Sequence, residues 1–180
     1  MKTGVFRLHL DQMKRQTTKQ TGGVRGPVVP PLTVLHIDDD PNDTELLRAA
    51  ARRAQAAFIL HNAEDTEQAI AYLTGKGIYA DRQTYAMPQL VLLDLKMPRA
   101  NGFELLRWIR KHAQLHALPV VILSGSELQA DVQQAYAGGA NSYLVKPLGF
   151  EELVTLVRNI STMWLPAQAA VLASQPASRF

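Results

Sequence analysis

The chain has 180 residues, 47% of them hydrophobic, no cysteine and a formal net charge of +3 at neutral pH. That length fits one domain with a sizeable core and leaves no room for a second full domain. The missing cysteines exclude disulfides and thiolate metal sites, and no apolar run reaches the about 18 residues that a bilayer span needs. The N-terminus lacks the apolar core of a secretory signal, so the expected location is the cytoplasm. The charge is uneven: residues 1–31 hold Lys2, Arg7, Lys14, Arg15, Lys19 and Arg25 against Asp11 alone, a local charge of +5, whereas the remainder has 13 basic and 15 acidic residues. A basic arm can hold nucleic acid or anionic lipid. This one is rich in Thr, Gln and Gly and shows no helical period, so it is read as a disordered extension, with neither a nucleic acid nor a membrane expected as partner. The periodic part spans 32–165, and 166–180 is an Ala-rich tail.

Gly and Pro clusters at Gly22-Gly23, Gly26-Pro27 and Pro30-Pro31 mark a linker. From Leu32 strands and helices alternate. The apolar run 32–37 ends on Asp38-Asp39-Asp40, and Pro41 suits a first helical turn with Asp40 as its N-cap. The spacing of Leu46, Leu47, Ala50, Ala51 and Ala54 predicts a helix over 41–54. Phe58-Ile59-Leu60 predicts a short second strand, Asp65 or Thr66 caps a second helix ended by Gly75, and 75–88 reads as a long surface connection. A third strand, 90–93, stops at Asp94, and Phe103, Leu105, Leu106 and Ile109 mark a helix to about His112. The fourth strand, 118–123, runs into Ser124. A helix marked by Val132, Ala135 and Tyr136 stops at Gly138-Gly139, and a fifth strand, 141–145, ends at Lys146-Pro147. Leu153, Leu156, Val157, Ile160 and Trp164 mark a long last helix. Five strands alternating with five helices predict an α/β fold, a doubly wound parallel sheet covered on both faces.

A parallel sheet places all its strand C-termini along one edge, where ligands of open α/β sheets bind. Asp38, Asp39, Asp94, Ser124 and Lys146 should therefore converge. Converging carboxylates repel one another unless a cation joins them, and Mg²⁺ is commonly held by one or two carboxylates, a further oxygen and waters. Asp39 and Asp94 are the expected direct ligands, Asp38 acts through water, and the backbone carbonyl of Lys96 is a further ligand. A carboxylate can attack phosphorus to form an acyl phosphate, and Asp94 is placed for it. Lys146 and the Ser124 hydroxyl would then hold phosphoryl oxygens.

With those residues in place, 32–165 resembles a response regulator receiver domain of two-component signalling. The likeness rests on Ile37-Asp38-Asp39, on Leu92-Leu93-Asp94-Leu95-Lys96-Met97-Pro98 with Gly102, on Ile122-Leu123-Ser124-Gly125 and on Tyr143-Leu144-Val145-Lys146-Pro147. It implies a flavodoxin-like fold with strand order 2-1-3-4-5, Asp94 as phosphoacceptor, Asp38 and Asp39 as the acidic pair, Ser124 and Tyr143 as switch residues, and a cis Lys146–Pro147 peptide. A narrower resemblance, through Asp39-Asp40-Pro41-Asn42-Asp43, the 75–88 connection and Met163-Trp164-Leu165, is to single-domain regulators that work with phytochromes and related sensor kinases. Asp40, where that group often has asparagine, and Ser124, where many have threonine, are departures.

The function implied is a phosphoprotein switch, not an enzyme. It takes a phosphoryl group from a sensor histidine kinase, a bacteriophytochrome among the candidates, and signals through helix four, strand five and helix five without an attached output domain. Output would pass to a phosphotransfer protein, a binding partner or a homodimer built on the last helix. Two alternatives stand beside it. A degenerate receiver would bind partners without phosphorylation. A Mg²⁺-dependent aspartyl-nucleophile phosphohydrolase would usually carry an acid two residues after the nucleophile, where this chain has Lys96.

Overall fold

The computed structural model describes residues 32–97 and 100–164. The expected extension over 1–31 and the tail over 166–180 lie outside them. Five parallel strands form the sheet: β1 (Leu32–Ile37), β2 (Phe58–Ala63), β3 (Leu90–Leu93), β4 (Val120–Ser124) and β5 (Ser142–Val145). Their order is β2-β1-β3-β4-β5. The register sets Ile37 beside Leu93, Leu93 beside Ile122, and Ser124 beside Val145, so the strand exits line one edge.

Alternation along the strands divides the core in two. Leu35, Ile37, Val91, Leu93, Val120 and Ile122 pack with α2 (Thr66–Thr74), α3 (Gly102–Lys111) and α4 (Gln129–Ala137). Val34, Leu90, Leu92, Val121 and Leu123 pack on the other face with α1 (Pro41–Arg53) and α5 (Phe150–Met163). Both faces are covered, which is why the central strands are continuous apolar runs.

Local chemistry sets the helix ends. Asp40 caps α1 by accepting the Asn42 N–H at 2.8 Å, with Pro41 as first residue, and Asp65 caps α2 by accepting from Gln68 N–H at 2.7 Å. Gly75 closes α2 in the left-handed region, φ 67°.

Three readings need correction, and one is extended. β2 continues to Ala63, because its full length pairs with β1. Leu46 is exposed on α1, and the α5 stripe centres on Val154, Val157 and Ile160 while Leu153 and Leu156 flank it half-buried; an apolar stripe wider than one buried face leaves its margins in water. The 75–88 connection lies on the surface as expected and is also tied down: Arg82 donates to the carbonyls of Tyr72, Leu73 and Tyr85, and the rings of Tyr72, Tyr79 and Tyr85 meet tilted or edge-on. Lys146–Pro147 is trans, since no cis peptide occurs among the described residues; an X–Pro amide differs so little between isomers that sequence alone does not select one.

Candidate functional site

Each strand exit delivers a polar group, and backbone hydrogen bonds hold the exits together. Asp38 N–H donates to Ala63 O at 3.0 Å, Asp94 N–H to Ile37 O at 2.9 Å and Lys146 N–H to Ser124 O at 2.9 Å. The Asp38 carboxylate is buried; its Oδ1 accepts the Asp40 N–H at 2.9 Å and so bends the chain into α1. Asp94 is buried as well, and its Oδ1 accepts the Lys96 N–H at 3.1 Å. A two-residue antiparallel ladder follows, Lys96–Met97 against Ala100–Asn101, leading into α3. Gly102 lies against the Asp94 carbonyl, and a Cβ there would come 2.8 Å from Leu95 Cα, so only glycine lets α3 begin this close to the site.

At the centre stands the Lys146 ammonium. It donates to Asp38 Oδ2 at 2.7 Å, Asp43 Oδ2 at 2.7 Å and Asp94 Oδ2 at 2.8 Å. Burial alone would raise the Asp38 carboxyl, but the His36 ring, the Lys146 ammonium and the Asp40 N–H outweigh it and hold the group at about 2. Burial likewise opposes the charge on Lys146, and its three carboxylate partners override that and push its pKa up. Lys146 is thus the counter-ion that the acids share.

Asp38, Asp94 and Lys146 are brought together, with half-buried Asp39 next along the chain. Ser124 ends β4, the neighbour of β3, with its Oγ fully buried and without a hydrogen-bond partner among the described residues. Tyr143 donates its hydroxyl to Ser126 O at 2.8 Å, and Ser126 Oγ donates to Asp131 Oδ2 at 2.5 Å. Burial raises the Tyr143 phenol above its ordinary pKa. Asp131 also lies 3.8 Å from Lys96 Nζ, so one carboxylate links the loop after Asp94 to the loop that holds Tyr143.

Asp43 and Asp131 were missed by sequence reasoning. Asp43 lies in the first turn of α1, where an acid is ordinarily read as helix-dipole compensation; the signal was its place just past the acidic exit of β1. Among the described residues no group of three or more acidic or histidine side chains is arranged to hold a metal. The donor set still fits a hard cation: one ammonium faces several carboxylates, and a Mg²⁺ site needs only one or two of these, with a further oxygen and waters.

Comparison with known proteins defines the class. Residues 34–158 match the response regulator receiver domain, and the chain belongs to that family. The methanogenesis regulatory protein FilR2, described as probable, of Methanothrix harundinacea is 34% identical over 75% of this chain and 84% of its own. Among solved structures, response regulator RPA3017, in red light signaling of R. palustris, is 35% identical with a TM-score of 0.71, covering 74% of this chain and 94% of its own. The phosphorylated cyanobacterial phytochrome response regulator RcpA is 29% identical with a TM-score of 0.69, covering 76% and 96%. The chain is thus a receiver whose relatives include phytochrome-associated regulators. No helix among the described residues is long and apolar enough to cross a membrane.

Proposed function

We propose that the protein is a cytoplasmic phosphorelay receiver: Asp94 takes a phosphoryl group from a sensor histidine kinase of the bacteriophytochrome kind, with Mg²⁺ bound by Asp39, Asp94, the Lys96 carbonyl and, through water, Asp38. The carrying observation is the convergence of Asp38, Asp43 and Asp94 on one ammonium at the sheet edge, where β4 also ends on a buried serine hydroxyl with no partner among the described residues. An Asp94 oxygen bonds to phosphorus as the P–N bond to the kinase histidine breaks, giving an acyl phosphate. When bound, Mg²⁺ neutralises charge on the transferring oxygens. Lys146 then leaves Asp94 for one phosphoryl oxygen, and Ser124 Oγ donates to another. Drawing Ser124 inward shifts the 124–126 loop and the Tyr143 hydroxyl seated on it, which biases a two-state element.

The readout surface is α4, β5 and α5. Leu128, Tyr136, Val145, Leu148, Phe150 and Met163 are exposed there, and an apolar groove of about 550 Å³ runs along β5 and α5 past Leu144, Leu156, Met163 and Trp164. This supports a two-fold homodimer or a phosphotransfer partner. Lys96, where phosphohydrolases carry an acid, supports signalling over turnover of external substrates.

Intact mass after incubation with acetyl phosphate and Mg²⁺ tests the reading. One phosphate adduct on the wild type and none on Asp94→Asn is expected. A wild type without an adduct would instead favour the degenerate binding module.

A further inference from the structure

His36 lies on β1 two residues before Asp38 and is almost wholly buried, on the face covered by α1 and α5. Its register partner across the β1–β2 ladder is Asn62. Buried Thr44 of α1 touches both: its Oγ1 lies 3.4 Å from His36 Nδ1 and 3.1 Å from Asn62 Oδ1. On the other side of the ring, Nε2 is buried without a hydrogen-bond partner among the described residues, 3.4 Å from Asp38 Oδ2. These four side chains connect β2, α1 and β1 to the acidic site.

Counting hydrogens gives the row a direction. Thr44 has one hydroxyl hydrogen. If it goes to an Asn62 oxygen, His36 must donate from Nδ1, and a neutral ring then turns the bare lone pair of Nε2 toward a carboxylate. A half-turn of the Asn62 amide, which makes no other side-chain hydrogen bond among the described residues, exchanges its oxygen and nitrogen. Asn62 then donates to Thr44, Thr44 donates to Nδ1, and Nε2–H donates to Asp38, so every group has a partner. A cavity of about 50 Å³ beside His36, Asp43, Leu47 and Lys146 leaves the ring room to tilt and shorten both links.

We infer that His36 is a positioning residue for the metal site: an Asn62–Thr44–His36 relay, ending in an Nε2–H donor, fixes the orientation of the Asp38 carboxylate for divalent cation binding. The inference rests on the Mg²⁺ reading above. Outer partners that orient ligating groups typically carry about 10-fold to 100-fold in metal affinity, and this one is almost wholly buried.

The test uses the full chain, Mg²⁺ alone as ligand, calorimetry for affinity and ¹⁵N NMR of the imidazole for the tautomer. The wild type is expected to show Nε2 protonated and Nδ1 bare. His36→Leu should bind Mg²⁺ about tenfold more weakly, and His36→Gln, which keeps an N–H at a similar reach, should recover most of that loss. Thr44→Val, which removes the donor to Nδ1, should give mixed tautomers and keeps the relay testable if His36→Leu does not fold. A ring protonated on Nδ1 and not Nε2, or His36→Leu binding Mg²⁺ as tightly as or more tightly than the wild type, overturns the relay. If the wild type binds no Mg²⁺ and takes up no phosphoryl group, the phosphorelay reading itself fails, and the ring tautomer alone then decides whether the relay exists.

Discussion

Replacing Lys146 by methionine tests how far one ammonium holds the site together. Its bonds to Asp38 and Asp94, at 2.7 and 2.8 Å, are made to carboxylates almost hidden from water, and each counts about 1.5 kcal/mol as a hydrogen bond to a charged group. The Asp43 carboxylate is 37% exposed and adds little. Removing the ammonium also leaves two buried carboxylates without their counter-ion, so the expected loss is about 3 kcal/mol at neutral pH. The loss depends on pH in a defined direction. The Asp38 pKa, about 2 in the fold, lies below the unfolded value near 3.9. Its stabilising contribution is therefore complete above about pH 5 and is lost as pH falls through 4 toward 2. In Lys146→Met one cause of that depression is gone, the Asp38 carboxyl rises, and the gap between wild type and variant narrows across the same interval. Urea unfolding followed by the fluorescence of half-buried Trp108 and Trp164, at pH 7 and pH 3, measures both points. Mg²⁺ should stabilise the variant more than the wild type, because a cation then enters without displacing an ammonium. A deficit equal at both pH values and indifferent to Mg²⁺ would refute the counter-ion argument.

Ser124→Ala removes a buried hydroxyl that has no hydrogen-bond partner among the described residues; stability should hold or rise by up to about 1 kcal/mol, while the phosphorylation-induced change in the α4–β5–α5 surface is lost, as checked by thermal melts beside NMR shifts of the phosphorylated state. Gly102→Ala drives a Cβ against Leu95 and the Asp94 carbonyl, at a cost of about 1–3 kcal/mol, and should also slow acetyl-phosphate labelling by displacing Asp94. Asp131→Ala releases Ser126 and Lys96 together; a stability loss of about 1 kcal/mol should come with faster amide exchange confined to 125–132, and uniform exchange across the chain would argue against a local latch.

What could be read from the sequence was whatever one strand settles by itself. Apolar runs buried on both faces read as central strands, and the polar residue ending each run read as a site residue; Asp38, Asp94, Ser124 and Lys146 all stand at the carboxyl edge for that reason. Contacts between elements were not readable, since they depend on register and helix rotation. Asp43 reaches Lys146 across 103 positions, a consequence of how α1 lies against the sheet edge. His36 follows the same rule: it is one letter in an apolar strand, buried in the fold. Its relation to Asn62 exists only through the β1–β2 register, and its relation to Thr44 only through the side α1 turns toward the sheet. Alternation then carries the argument further. Positions 34, 36 and 38 share a parity, and so do 90, 92 and 94, so the strand face that packs under α1 and α5 is the face whose continuation past the sheet edge carries both Asp38 and Asp94. A polar residue on that face near the edge is thereby within reach of the acids, and that ties His36 to the site while its apolar neighbours Leu35 and Ile37 serve the opposite core.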